Sequence, residues 1–276
     1  MQCSNRTRQA RRLIRATVLG VVATVGLVVR AAEPAKAVVI SGDAGMYPVA
    51  RWKADWPGCE YEDGVKEGRV SVVRREAGNA LRITCKAGAI GPADGGAGWR
   101  YPYGRSDDLT ISYTVCFDPD FEFVKGGKLP GISGGPESVT GGRPADGMNG
   151  FSARLMWRKD GRGEAYVYHM HQPGKYGESF PFPSDFRFVR GEPTQVRIQT
   201  RMNRPGQRDG ALLVWIQQKG TAEQLVVERR DMEWRREETF GADSVQFEVF
   251  HGGGDASWAP KTDSHLEIGQ IRVDRR

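Results

Sequence analysis

The 276-residue sequence predicts an all-β protein, a jelly-roll type sandwich of two antiparallel sheets. Short segments that alternate apolar and polar side chains recur from residue 69 to the C-terminus. Gly, Pro, Asn and Asp punctuate nearly every gap between them, and no long amphipathic helical pattern interrupts the series. Strands need a period of two and turns need those punctuating residues, so the three observations together favour two packed sheets.

Taken in order, the first 37 residues read as a signal peptide. Arg6, Arg8, Arg11, Arg12 and Arg15 make a basic start, 16–29 form an apolar run, and Ala35-Lys36-Ala37 supplies a small-x-small cleavage site. The apolar run is too short for a comfortable membrane span, so no stable membrane insertion is expected after cleavage, and the location is secreted or periplasmic. Removing the leader also changes the charge argument. The whole chain carries a formal +6 with a pI of about 9.2, but residues 1–37 hold seven Lys/Arg and one Glu, which leaves 33 basic and 33 acidic residues. Global charge therefore gives no support to a nucleic-acid partner, and none is expected. Locally, 125–162 holds seven basic residues against Glu137, Asp146 and Asp160, an excess suited to attracting a polyanion. Lys159 and Arg162 read instead as a solvated hairpin rim.

The remaining chain, 38–276, suits one β-rich domain and a monomer. Residues 38–64 wrap the sandwich edge, with Trp52 and Trp56 as anchors. Strands are expected over 69–74, 80–85, 109–117, 151–158, 164–168, 195–201, 212–217, 224–229, 244–251 and 266–273. Cys59, Cys85 and Cys116 remain after leader removal, an odd number that allows one disulfide and one buried thiol without choosing the pair. Cys116 lies in an alternating run and reads as core, with nothing nearby to activate it. His169 and His171 are two apart, as metal ligands on one strand face would be, but no third ligand has matching spacing, so packing or a groove edge is the better reading. His251 opens the loop 252–260, which reads either as a groove border or as a turn plugged by Trp258.

The informative stretch is 126–168. In Phe151-Ser-Ala-Arg-Leu-Met-Trp-Arg158, Phe151, Ala153, Leu155 and Trp157 form one row, while Ser152, Arg154, Met156 and Arg158 form the other, as on a strand with one buried face. In the partner segment Ala165 and Val167 share a row opposite Tyr166 and Tyr168. A two-residue Asp160-Gly161 turn would set Arg154 against Val167 and mix polar with core residues. A three-residue loop, Lys159-Asp160-Gly161 with Gly161 left-handed, instead pairs Arg154 with Tyr166 and Ser152 with Tyr168. All four side chains then rise from one sheet face, the floor of a groove.

Gly126-Gly-Lys-Leu-Pro-Gly131, Asn149-Gly-Phe-Ser-Ala-Arg-Leu-Met-Trp-Arg158, Tyr166-Val-Tyr168 and the later Met202-Asn-Arg-Pro-Gly206 with Asp209-Gly-Ala-Leu-Leu-Val-Trp215 resemble polysaccharide lyase family 14, over roughly 117–273. The resemblance implies a jelly-roll fold and a lyase acting on a uronate polymer, alginate or polyglucuronate, without fixing which. Carried over residue by residue, it implies a groove set of Lys128, Ser152, Arg154, Tyr166 and Tyr168, with no member missing. A uronate bears a carboxyl group beside C5 and a glycosidic oxygen at C4, so its chain can break by β-elimination. A cation can neutralise the carboxylate as the C5 proton leaves, which suits Arg154 by two parallel hydrogen bonds and Lys128 as a point charge. Tyr166 and Tyr168 are assigned to proton transfer, provided a nearby cation lowers a phenol pKa from its ordinary value of about 10, and Arg154 is placed to do so. Ser152 is assigned to substrate hydrogen bonding.

This chemistry demands no cofactor and no catalytic metal; a structural calcium ion stays open. A non-catalytic carbohydrate-binding module is the alternative, because a jelly roll supports both roles. A glycoside hydrolase needs two carboxylic acids across the bond, and the expected floor strands offer none, Glu164 reading as solvent-facing. The polymer itself, and endo against exo action, are set by the loops 133–148 and 171–190, whose Gly- and Pro-rich sequence carries no readable code.

Overall fold

The computed structural model describes residues 36–59 and 61–276. Up to residue 35, the expected leader lies outside the described residues. The strands, in chain order, are β1 (Lys36–Ala37), β2 (Gly45–Met46), β3 (Val70–Arg75), β4 (Gly78–Cys85), β5 (Ala97–Ser106), β6 (Asp108–Phe117), β7 (Gly126–Gly134) and β8 (Phe151–Arg158). They continue with β9 (Gly163–Tyr168), β10 (Glu178–Pro181), β11 (Thr194–Arg201), β12 (Gly210–Gln218), β13 (Gln224–Met232), β14 (Ala242–His251) and β15 (Ser264–Arg275). Two short helices, α1 (Val49–Asp55) and α2 (Gly91–Gly95), lie ahead of β3 and β5.

Antiparallel pairing arranges these strands in two sheets. The larger runs β13-β12-β11-β6-β15-β4-β3-β2, with β1 also on β15, and the smaller runs β10-β9-β8-β7-β14-β5. The inner faces share one core. Leu81, Val115, Ile198 and Val214 come from the larger sheet, and Leu155, Trp157, Val167 and Phe247 from the smaller. The alternation read in the sequence is therefore that of a sandwich in which apolar rows meet between sheets. Trp52 and Trp56 close the edge as expected. Both are buried, and both pack edge-on against Trp99, which stacks on Phe247 at 4.1 Å.

Of the strands that sequence reading missed, β1, β2, β5, β7 and β10, the two long ones, β5 and β7, are rich in glycine and proline. In β7, Pro130 sits at a register shift between Leu129 and Gly131, where a missing N–H removes no ladder bond. Its carbonyl accepts from the Tyr113 hydroxyl across the core at 3.0 Å. Gly131 is required by close approach, because a Cβ there would lie 2.1 Å from the Ala153 carbonyl oxygen. β5 contains Gly98, Pro102 and Gly104 and is an edge strand, paired with β14 on one side and bridged at Gly98 by Asp63 on the other. Such residues deplete strands on average, so composition argued against segments that tertiary pairing imposes.

The cysteines differ from one of the readings left open. Cys59, Cys85 and Cys116 are all free thiols. Burial pushes Cys59 and Cys85 up to about 12 and raises Cys116 as well, so none is a thiolate at neutral pH. A reductant is therefore expected to leave Tm unchanged, and these thiols to react with an alkylating reagent only after denaturation. A Tm that drops under reductant would reveal a disulfide.

Candidate active site

The site is carried by the outward face of the smaller sheet. β8 and β9 are joined by Lys159–Gly161, with Gly161 at φ 75° and Asp160 at φ 60°, and the left-handed Gly161 closes the three-residue loop. The resulting register pairs Ser152 with Tyr168 and Arg154 with Tyr166, as the hydrophobic pattern required. β7 adds Lys128 opposite Met156, and β14 adds Gln246 opposite Gly131. All five residues anticipated from sequence thus share one face.

That face is not an open surface. Ser152, Arg154, Met156, Tyr168 and Lys128 are buried, and Tyr166 is half-buried. The cover is the segment 135–150, whose Val139 and Ala145 pack on Tyr168 and Tyr166. Ser152 Oγ donates to the Val139 carbonyl at 2.7 Å, and the Gly142 amide donates to the Tyr168 hydroxyl at 3.0 Å. Ser152, expected to bond substrate, here pins the covering segment to the floor. Of the two tyrosines, Tyr166 is the one that keeps access to solvent.

Electrostatics within the floor depart from expectation at two residues. Burial first, and then the neighbouring Arg154 and Arg158, hold the Lys128 ammonium well below the ordinary lysine range. Its Nζ lies 2.7 Å from Met156 Sδ, a weak acceptor, and 3.5 Å from the centre of the Tyr166 ring. Burial thus weakens Lys128 as the point charge expected of it and favours its amine form relative to an exposed lysine. Tyr166 is pushed up to about 12, by burial and by Tyr168, against which the lowering effect of Arg154 is the smaller influence. The anticipated depression of its pKa is overturned because the phenol loses more hydration than one arginine, already paired, can offset.

That pairing is the feature sequence reading missed. Arg154 Nη1 donates to Glu248 Oε2, both side chains being buried, and Gln246 Nε2 donates to Glu248 Oε1 at 3.0 Å. Among the described residues, Arg154 Nε and Gln246 Oε1 have no hydrogen-bond partner. The signal was present in Ser244-Val-Gln-Phe-Glu-Val-Phe-His251, where Gln246 and Glu248 fall on the row opposite three large apolar residues. Glu164, expected in solvent, is also buried; β10 covers it, Ser179 Oγ donates to it at 3.0 Å, and Arg158 pairs with it at 2.7 Å.

Other polar clusters lack this chemistry. His251 stacks on Phe121 at 5.3 Å and bonds the Glu122 carbonyl, a core histidine. His169 and His171 separate toward Glu178 and Glu233, and among the described residues no three His, Cys, Asp or Glu gather as metal ligands. A cleft of about 970 Å³ on the outer face of the larger sheet contains Arg75, Arg82, Asp118 and Glu267. These are paired with one another, Arg82 with Asp118 and Arg75 with Glu267.

The protein is thus a two-sheet sandwich whose smaller sheet gathers buried Arg154, Lys128 and Tyr168 and half-buried Tyr166 on its outer face. Residues 74–271 match the family model described as Polysaccharide lyase 14; the chain belongs to that family and is a polysaccharide lyase. It is similar to the PL-14 alginate lyase from Aplysia kurodai, with a TM-score of 0.75, 24% identity, and 86% of this chain and 98% of that one covered. It is similar also to the alginate lyase Aly36B, with a TM-score of 0.71, 26% identity and coverage of 88% and 96%. The endo-beta-1,4-glucuronan lyase from Trichoderma reesei shares the fold at a TM-score of 0.52, with 12% identity and coverage of 80% and 92%. A search of curated protein sequences found no match. Among the described residues no helix is long and apolar enough to cross a membrane.

Proposed function

We propose that the protein acts outside the cytoplasm on a uronate polymer, alginate or a polyglucuronate, and cleaves it by β-elimination to leave an unsaturated uronate end. The observation that carries this reading is the buried Arg154, ion-paired through Nη1 to Glu248 while its Nε lacks a partner, beside the Lys128 amine and the Tyr166 phenol. The family and the alginate lyase Aly36B point to the same substrate class. The basic and apolar leader supports export.

In this mechanism Arg154 holds the uronate carboxylate and stabilises the charge that gathers on it as C5 loses its proton. Lys128, whose pKa burial lowers, takes that proton. The C5 electron pair forms the C4–C5 double bond, the C4–O4 bond breaks, and Tyr166 protonates the departing oxygen. A phenol at about 12 is a proton donor throughout the neutral range. Tyr168, edge-on to Tyr166 with ring centres 5.8 Å apart, packs against the acid and anchors the cover at Gly142.

The test is ultraviolet absorbance of the unsaturated product during incubation with alginate blocks, glucuronan and other acidic polymers. Absorbance is expected to rise with one of them. A Tyr166→Phe, Tyr168→Phe variant, still folded by circular dichroism, should lose activity by a factor on the order of 10²–10⁴. Saturated products, or full activity in that variant, would overturn the mechanism.

A further inference from the structure

We infer that Trp258, flanked by Lys125 and Arg158, forms an outer subsite that binds a uronate residue of the same polymer away from the bond being cleaved. This deepens the polyuronate reading above and rests on it.

Arg158 continues the row of Arg154 and Met156 along β8, four residues and about 13 Å beyond Arg154 at the usual strand rise. That distance is longer than one pyranose ring, so a polymer lying along β8 reaches Arg158 with a different sugar. At that point the loop after β14 crosses the strand. Gly252 approaches Lys128, whose Cγ would be 3.9 Å from a Cβ on that glycine, and the indole of Trp258 lies against Gly253, where a Cβ would be 2.1 Å from the ring. The loop is therefore folded onto its own tryptophan next to the site. Asp255 accepts from the Ser257 amide at 2.8 Å and fixes the turn.

Trp258 is nonetheless only partly buried, unlike Trp56, Trp99, Trp157 and Trp234, which fill the core. Two cations border its ring, Lys125 Nζ at 5.9 Å and Arg158 Cζ at 5.7 Å from the centre. Lys125 is exposed and donates to the neutral Ser257 hydroxyl, while Asp255 lies near enough to feel its charge; Arg158 shares its guanidinium with Glu164 and Ser179. Beside the turn, a cavity of about 560 Å³ is bordered by Lys159, Arg190 and Lys261, together with Glu122, Asp160 and Ser257. A partly exposed indole offers a flat apolar surface to the C–H face of a sugar ring, and bordering ammonium and guanidinium groups suit the carboxylate at its edge. A neutral glycan would use the indole but not the cations.

The experiment compares the wild-type chain with Trp258→Ala and Lys125→Ala on the preferred polymer and on the shortest oligouronate it cleaves. For Trp258→Ala, KM on the polymer should rise about 3- to 10-fold with kcat little changed, while KM on the short oligouronate stays within about 2-fold. Lys125→Ala, at an exposed position, should weaken polymer binding in the same selective way, most at low salt. Equal losses on polymer and oligouronate, or no change on either, would overturn the subsite. Retention on immobilised alginate separates the two readings. A wild-type chain that is retained but does not cleave would sink the lyase mechanism, and the subsite would then stand or fall on whether Trp258→Ala reduces retention. A wild-type chain that neither cleaves nor binds any polyuronate would overturn both.

Discussion

Replacing Lys128 by methionine is expected to lower turnover by a factor on the order of 10²–10⁴, as for loss of a general base, and to raise Tm by about 3–6 °C. The two effects have one cause. Lys128 is buried against Met156 and Tyr166 and lies close to two arginines, so its native pKa is well below that of an unfolded lysine. The unfolded chain binds this proton up to a pH of about 10.4, while the native chain releases it at a lower pH. Between the lowered native pKa and about 10.4 the unfolded state therefore holds more protons, and native stability rises with pH across that window. Methionine removes the penalty and preserves the volume. The Tm advantage of the variant should be largest below the lowered native pKa and shrink as pH approaches about 10.4. Thermal melts of both proteins at several pH values check this. A variant that melts lower than wild type, with a gap independent of pH, would show that Lys128 is charged in the native state.

Replacing Arg154 by methionine should abolish measurable turnover and destabilise the fold by about 3–5 kcal/mol, because Glu248 would be left buried without its partner. Urea denaturation provides the measurement. Adding Glu248→Met removes the stranded carboxylate as well, and apolar pairs of similar volume often replace buried ion pairs without loss. The double variant is expected to regain most of the stability and none of the activity. Glu248→Gln separates positioning from binding. It keeps a hydrogen-bond acceptor for Arg154 but weakens the hold on its orientation, so kcat should fall more than KM rises. Unchanged stability in Arg154→Met would mean that water reaches Glu248 and that the floor is wetter than its burial indicates.

Much of this site is legible in the sequence because period-two patterning is a strong constraint. Four apolar residues from Phe151 to Trp157 can face the core only if Ser152, Arg154 and Met156 face the other way, and the Lys159–Gly161 loop then sets Arg154 against Tyr166. Likewise Trp52 and Trp56 read as edge anchors because side chains of that size have few places to go other than a core. What pattern cannot supply is the environment of each polar group. The segment 135–150 shows no period, yet it folds back over the polar row and turns an expected groove floor into a buried one.

The sequence by itself determined the sandwich, the hairpin register and the common face of Ser152, Arg154, Tyr166 and Tyr168, because each follows from alternation along neighbouring strands, whereas Lys128 was implied by the family resemblance and put on that face by the pairing of β7. Only the tertiary structure decided the lowered pKa of Lys128, the raised pKa of Tyr166, the engagement of Ser152 by Val139 and the pairing of Arg154 with Glu248, 94 positions away. These are properties of hydration and through-space distance. They depend on which remote segments exclude water from a side chain, and no local period in the chain encodes that.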